Sequence, residues 1–255
     1  MSETREVQGL AWLGEPFAGL TGRGVSIAVI DSGVHPGHDH IAAGRLDPGV
    51  MVLPDGAIVE GDDVWLDKLG HGTAVTAAIQ ETAPDARCVP VRVFRDALKA
   101  SAASLIAAIR WSVARDVDVI NLSLGSLNVA HRDAFAGVVA EAAAADVLVV
   151  AAFEANGAPC FPGSLGGVIG VEVDWDCPRT AYGVRSRAGA PVVQASGYPR
   201  PIPGVPPQRN LYGASFAVAH ASGFVARACE NLASEGKGAP RLDRVRELMC
   251  SSPAA

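Results

Sequence analysis

The chain has few charged residues, and they include no excess or cluster of positive charge that would bind polyanions. Only 19% of its 255 residues are charged, with 21 Lys and Arg against 27 Asp and Glu, which gives a net charge of -6. The basic residues are scattered along the sequence. Nucleic acids and anionic membrane surfaces are bound through concentrated positive charge. The composition therefore predicts no nucleic-acid partner and no membrane-surface partner.

Long apolar runs are also missing. A membrane-spanning helix needs about 20 consecutive apolar residues, and no stretch of this sequence reaches that length. A secretory signal peptide needs an apolar segment near the amino terminus, where this chain carries Glu3, Arg5 and Glu6. We therefore expect neither a signal peptide nor a membrane span.

Cysteine is sparse and irregularly placed. The five cysteines include no CxxC pair and are odd in number: Cys88, Cys160, Cys177, Cys229 and Cys250. Disulfide frameworks need an even number, and zinc sites usually draw on closely spaced pairs. The pattern predicts free thiols, no metal site and a reducing compartment, and hence a cytoplasmic location.

Apolar residues are plentiful and make up 49% of the chain, which is enough to bury a sizeable core. The one biased segment, residues 199–207, is too rich in proline for a helix or a central strand, and we expect it to cross the surface in an extended form. Because nothing in the middle resembles a linker, we predict a single domain over residues 1–255.

Short β-branched runs alternate with helical patterns. The predicted strands cover residues 25–30, 89–94, 117–122, 147–152 and 168–173, and the predicted helices cover 72–81, 101–115, 131–145, 215–234 and 241–249. Such alternation is typical of a mainly parallel sheet with helices on both faces. The predicted fold class is thus α/β with three layers.

Three polar residues stand where such a sheet collects its chemistry. Asp31 directly follows the first strand, His71 opens a helix between two glycines, and Ser215 starts a helix of small residues. Catalytic groups gather beyond the carboxyl ends of parallel strands. Each residue also has an ordinary explanation when taken alone: a turn cap, an exposed histidine and a helix N-cap. Their chain order, Asp then His then Ser, favours a catalytic triad.

The sequence around these residues resembles the subtilisin-like serine proteases over about residues 12–223. Residues 21–34 (TGRGVSIAVIDSGV) are similar to the family's Asp block, residues 70–73 (GHGT) to its His block, and residues 213–220 (GASFAVAH) to its Ser block. Ala214 and Ala219 stand where the family usually has Thr and Pro. Residues 119–125 (VINLSLG) resemble the strand that pairs with substrate.

The resemblance implies a subtilisin-like fold and a serine endopeptidase with Asp31, His71 and Ser215 as its triad. An extended peptide or protein substrate would lie against Leu122, Ser123, Leu124, Gly125 and Ser126. Ala152, Phe153 and Glu154 would wall the pocket for the residue before the scissile bond. There a carboxylate favours a basic side chain, unless Glu154 points into solvent.

The predicted oxyanion hole departs from the family pattern. The family supplies an Asn side chain after the strand that matches residues 147–152, and an ungapped comparison puts Ala155 at that position. A one-residue bulge would bring in Asn156, which is otherwise a turn residue before Gly157. Both interpretations of Asn156 stay open at this point.

The resemblance also carries two expected absences. The segment between the His71 helix and the strand at residue 89 is too short for the family's calcium loop, so we expect no metal and no cofactor. We also expect no inhibitory pro-segment, because only 24 residues precede the first strand. Both features are typical of an intracellular processing or maturation protease.

Two other functions remain to be weighed. The departures at Ala155, Ala214 and Ala219 are compatible with a catalytically weak or inactive domain that binds an extended peptide. A nucleotide-binding fold is disfavoured, because no glycine-rich phosphate motif follows the first strand. Retention of all three triad residues favours the active peptidase.

Overall fold

We describe a computed structural model of the chain over residues 12–14, 17–187, 189–206, 209–233 and 241–251. The amino-terminal segment 1–11, where the sequence predicts no signal peptide, lies outside these residues, as does Pro207 of the proline-rich segment. Residues 199–206 form neither helix nor strand, as predicted for that segment. No helix of the described residues is long and apolar enough to cross a bilayer.

The strands of the described residues fall into one large sheet and one small hairpin. The large sheet contains β1 (Leu13–Gly14), β2 (Ser26–Asp31), β3 (Val50–Val52), β4 (Ile58–Val59), β5 (Arg87–Arg92), β6 (Val119–Leu122), β7 (Leu148–Ala152), β10 (Ile169–Val173), β11 (Ala181–Arg187) and β12 (Ala190–Ala195). The small hairpin pairs β8 (Glu154–Ala155) with β9 (Ala158–Pro159).

The large sheet is mainly parallel. Its strand order is β1-β11-β12-β10-β7-β6-β2-β5-β3-β4, and every pair from β12 through to β3 is parallel. Antiparallel pairs occur only at the two edges. β2 lies between β5 and β6, and the connections from β2 and from β5 lead to opposite sides of β2. The strand order therefore reverses at β2, and a crevice opens at its carboxyl end.

Helices cover both faces of this sheet. They are α1 (His71–Thr82), α2 (Ala102–Ala114), α3 (Arg132–Ala144), α4 (Ala214–Ala233) and α5 (Arg241–Ser251). Successive β2 residues point to opposite faces: Ile27 and Val29 join the core under α1 and α4, while Ala28 and Ile30 join the core under α2 and α3. The result is the predicted three-layer α/β fold.

The predicted elements match the observed ones with small shifts at their ends. The five predicted strands correspond to β2, β5, β6, β7 and β10, and the five predicted helices correspond to α1 through α5. Ser234, the predicted last residue of α4, lies outside the described residues. Helix α2 begins after Ser101, whose side chain accepts a hydrogen bond from the Ser104 amide.

Two strands that the sequence pattern did not predict extend the sheet at one edge. β11 runs antiparallel to β12, which itself runs parallel to β10. Arg185, Arg187 and Gln194 interrupt the apolar pattern of these strands, and all three line a cleft. Because this face of β11 and β12 borders a cleft instead of a helix, its side chains are polar.

Candidate active site

Asp31 and His71 form a buried pair at the crevice. Asp31 is the last residue of β2 and is fully buried, while His71 is the first residue of α1 and its side chain is 12% exposed. The His71 Nδ1–H donates a hydrogen bond of 2.7 Å to Asp31 Oδ1. The imidazole is thus oriented by a carboxylate and keeps some access to solvent.

Small residues allow α1 to approach β2 this closely. A Cβ atom on Gly72 would lie 2.2 Å from the carbonyl oxygen of Gly33, which follows Asp31 in the next turn. Gly70, the N-cap of α1, has a left-handed φ of 80°. The glycines on either side of His71 therefore both have a structural cause. The turn after β2 also holds the carboxylate, because the Ser32 amide donates to Asp31 Oδ1 over 2.8 Å.

The surroundings of His71 favour the imidazolium. Burial alone would lower the pKa of His71, but the hydrogen bond and charge of Asp31, with a further contribution from the charge of Asp67, outweigh it, so that the pKa is raised from 6.5. Asp31 Oδ2 is buried and has no hydrogen-bond partner among the described residues. The Asp31 carboxylate is thus the main group that favours a proton on His71.

Ser215 lies close to this pair at the start of α4. It is the second residue of the helix, and the ring of the next residue, Phe216, contacts the His71 ring with a centroid separation of 5.9 Å. The Ser215 hydroxyl makes no side-chain hydrogen bond within the described residues. The structure therefore brings Asp31 and His71 into direct contact and packs the residue that follows Ser215, Phe216, against the His71 ring.

A cleft of about 1040 Å³ lies next to Ser215. Its wall includes Ala214, the residue before Ser215. The charged side chains that line it are four acids and two bases: Glu154, Glu172, Asp174, Asp176, Arg185 and Arg187. Arg187 donates to Glu172 over 2.7 Å, so part of this charge is already paired. The cleft thus carries an excess of negative charge.

The predicted substrate-binding residues divide into two groups. Ser123, Leu124, Gly125, Ala152 and Glu154 line the cleft. Leu122, Ser126 and Phe153 do not: Leu122 is fully buried in the core under α2 and α3, and Phe153 packs against the backbone at Gly170.

Ser126 differs from its neighbours in its main-chain pairing. Its amide and carbonyl both bond to Phe161, at 2.8 and 2.9 Å, in an antiparallel bridge. Main-chain groups of Leu124 and Gly125, by contrast, have no main-chain partner in the described part of the chain. The edge that is open to an extended peptide is therefore the short segment before Ser126. The bond from Phe161 to Pro162 is cis.

Asn156 occupies the tip of the β8–β9 hairpin. Asn156 and Gly157 have φ values of 54° and 75°, and the flanking Ala155 pairs with Ala158. Two consecutive left-handed residues of this kind form a type I′ turn, which favours Asn-Gly. Asn156 is exposed, and both it and Ala155 line the cleft. The geometry thus gives Asn156 a turn role and keeps Ala155 in the strand.

Sequence reasoning missed two groups of supporting residues. The buried Asn121 accepts a hydrogen bond from Ser222 of α4 (3.0 Å) and donates to Ser123 (3.2 Å), which links the substrate-side segment to the Ser215 helix. Asp67 bonds to both segments that carry the His71–Asp31 pair. The only sequence signal for Asp67 is an acid shortly before a helix whose N-cap is glycine.

The described residues contain no cluster of His, Cys, Asp and Glu suited to a metal ion.

A family model described as the subtilase family matches residues 22–251. Among curated proteins, the chain is 31% identical over 166 residues to the minor extracellular protease Epr of Bacillus subtilis (strain 168), a match that covers 60% of this chain and 24% of that protein. It is 27% identical over 228 residues to subtilisin DY of Bacillus licheniformis, covering 82% of this chain and 77% of that one.

A solved structure, sphericase, has the same fold. The TM-score is 0.67 with 22% sequence identity, and the match covers 90% of this chain and 83% of that one. The lengths of the curated relatives differ widely: the matched part is about a quarter of Epr, and only 15% of the subtilisin-like protease SBT6.1 of Arabidopsis thaliana, to which the chain is 28% identical.

Proposed function

Because the chain belongs to the subtilase family, we propose that it is a serine endopeptidase that cleaves peptide bonds through an acyl-enzyme. The observation that carries this proposal is the 2.7 Å hydrogen bond between His71 and Asp31 beside the first turn of α4, which holds Ser215. A nucleophile, a base and a carboxylate that orients the base are the minimum for this chemistry.

Each residue of the proposed triad has one role. Ser215 Oγ attacks the scissile carbonyl carbon while its proton passes to His71 Nε2. The C–N bond then breaks, and His71 gives the proton to the leaving amine. Water hydrolyses the resulting ester by the same route in reverse. Asp31 keeps the Nδ1–H tautomer in place and stabilises the imidazolium, in keeping with the raised pKa of His71.

The negative oxygen of the tetrahedral intermediate needs hydrogen-bond donors. The Ser215 amide lies in the first turn of α4, where amides have no partner within the helix and the helix dipole is positive. Ala155 has no side-chain donor, and the hairpin turn holds Asn156 at its tip. Loss of such a donor lowers turnover by roughly a hundred- to a thousandfold, a magnitude measured on subtilisin. We therefore propose that turnover is slow.

The substrate of this enzyme would be an unfolded or loop segment of a peptide or protein. Its main chain would pair with the open segment at Ser123, Leu124 and Gly125, and the side chain before the scissile bond would enter the cleft. The acidic excess of that cleft, with Glu154 on its wall, supports a preference for a basic side chain.

We further propose that the enzyme processes peptides inside the cell. All five cysteines are free, and four of them are buried. Burial raises the pKa of Cys88, Cys177 and Cys229 to about 12, so these thiols stay protonated and inert. Localising the tagged protein in its native cell tests this proposal, and recovery outside the cell would contradict it.

The activity itself is tested with a quenched-fluorescent peptide library and with casein, using the whole chain. We expect cleavage by the native protein and none by Ser215→Ala, with His71→Ala reduced by about 10⁴-fold or more. Mass spectrometry of the products identifies the cleaved bonds. Binding of the same peptides without any cleavage would instead favour the catalytically inactive peptide-binding domain.

A further inference from the structure

Helix α1, which carries His71, begins without a cap of its own. Gly70 stands at the N-cap and provides no side chain, although the first amides of a helix need acceptors. The carboxylate of Asp67 takes this role from outside the helix. Its Oδ2 accepts from the Thr73 amide (2.9 Å) and from the Thr73 hydroxyl (2.6 Å), and its Oδ1 accepts from the amides of Leu69 (2.8 Å) and Gly70 (2.9 Å).

The same carboxylate reaches the strand that carries Asp31. The Ser32 hydroxyl donates to Asp67 Oδ1 over 2.8 Å and accepts a hydrogen bond of 2.8 Å from the Gly72 amide. Ser32 follows Asp31 in the chain, and Gly72 follows His71. Asp67 is thus bonded on one side to the residue next to Asp31 and on the other to the first turn of the His71 helix.

Asp67 also keeps its negative charge. Burial would raise its pKa, but the hydrogen bonds from Thr73, Leu69 and Ser32 outweigh burial and hold the pKa below 3.8. The charged groups that act on His71 are Asp31 on β2 and Asp67 before α1, and α4 presents to it the uncharged ring of Phe216. Asp67 therefore affects His71 both through the backbone that it anchors and through its charge.

We propose that Asp67 is a positioning residue for His71, because it anchors the first turn of α1 and the Ser32 turn together and thereby sets the His71–Asp31 hydrogen bond. This inference rests on the proposed function, in which His71 is the general base. Asp67 touches neither the nucleophile nor the substrate in this scheme. Asp67 instead fixes the position of the imidazole and contributes a negative charge near it.

Two variants separate these contributions. Asp67→Asn keeps one carbonyl oxygen for Ser32, Leu69 and Gly70, but it puts an NH₂ group against the Thr73 amide and removes the charge. Thr73→Val keeps the Asp67 charge and the Thr73 amide bond, and it loses the hydroxyl bond to Asp67 together with the bond that this hydroxyl accepts from the His35 amide (3.0 Å). Asp85→Asn is the matched control, because Asp85 also accepts a threonine hydroxyl (Thr21, 2.7 Å), at a site apart from the triad.

We expect Asp67→Asn to lower kcat by roughly 10- to 100-fold, with KM within about twofold, because a misplaced base costs turnover and not binding. The acid limb of the kcat/KM profile should move about 0.5 pH unit lower, since a negative charge near His71 is gone. Thr73→Val should lower kcat by a smaller factor and leave the acid limb in place. Asp85→Asn should match the native protein in both.

The pKa of His71, measured by NMR titration and assigned with His71→Ala, provides a readout that does not depend on activity. If the native protein cleaves no peptide, the proposed function fails, while a lower His71 pKa in Asp67→Asn still supports this inference. An Asp67→Asn protein with native kcat, acid limb and His71 pKa would overturn it. If Asp67→Asn does not fold, Ser32→Ala decides, because it removes the hydroxyl that joins Asp67 to the Asp31 strand. Native kcat and a native His71 pKa in that variant would refute the anchoring role.

Discussion

His220, in the middle of α4, makes the stability of this protein depend on pH. It is fully buried, its Nε2–H donates to the Tyr198 carbonyl over 2.9 Å, and its Nδ1 lies 3.3 Å from the Thr82 hydroxyl. Burial lowers the pKa of His220 from 6.5 to about 4, and the hydrogen bond to Tyr198 and the charge of Glu81 offset only part of that shift. The residue is therefore neutral in the folded protein at pH 5.

The sign and the size of the effect follow from this shift. The folded pKa lies below the unfolded one, so the contribution to stability is complete above pH 6.5 and is lost as the pH falls towards about 4. One pKa unit corresponds to about 1.4 kcal/mol. Between pH 7 and pH 4.5 the titration of His220 alone should lower the free energy of unfolding by about 2 kcal/mol.

The test is urea unfolding at several pH values, followed by tryptophan fluorescence. Ser215→Ala serves as the background, so that self-cleavage does not interfere, and His220→Gln is compared with it. The Gln side chain does not titrate and retains an N–H donor. We expect the background protein to lose about 2 kcal/mol more than His220→Gln over this range. The exposed His38→Gln is the control and should behave like the background. Parallel curves for His220→Gln and the background would refute the reasoning.

Three further predictions concern the site. Gly72→Ala should abolish most activity and lower the free energy of unfolding by about 2 kcal/mol, because its Cβ would meet the Gly33 carbonyl at 2.2 Å; native kinetics and urea midpoint would show that α1 tolerates the methyl group. Asn156→Gly retains the left-handed turn and removes the amide, so kcat should stay within about threefold; a loss of a hundredfold or more would identify Asn156 as an oxyanion donor. Glu154→Gln should lower kcat/KM about threefold for peptides with Lys or Arg before the scissile bond, with no change for Leu; equal effects on all three would show that Glu154 does not read charge.

Much of the fold follows from local sequence pattern. β2 and β7 are buried on both faces, and such strands appear in the sequence as nearly uninterrupted apolar runs. Asp31 and His71 could be proposed from the sequence because Asp31 directly follows an apolar run and His71 opens a helix between two glycines. The 2.7 Å hydrogen bond between them is visible only in the folded chain.

Other features depend on contacts that no local pattern records. The strand with Arg185 and Arg187 lacks an apolar run, because its polar side chains border a cleft. The role of Asn156 could not be assigned from the sequence alone. A hairpin puts this residue in the turn, whereas a one-residue bulge would put it at the oxyanion position, and only the observed pairing shows the hairpin. Asp67 has no recognisable motif of its own, and its importance is visible only where Ser32 and Thr73 converge on it.

The central claim is that Ser215 is a nucleophile activated by His71, and covalent labelling tests it most directly. A fluorophosphonate reacts with an activated serine as the Oγ–P bond forms, fluoride leaves and the base takes the hydroxyl proton. Intact-mass analysis of the native chain should show one adduct, with peptide mapping placing it on Ser215, and no adduct on Ser215→Ala. No adduct on the native chain, under conditions that label an active serine protease, would contradict the account and favour a domain that only binds peptides.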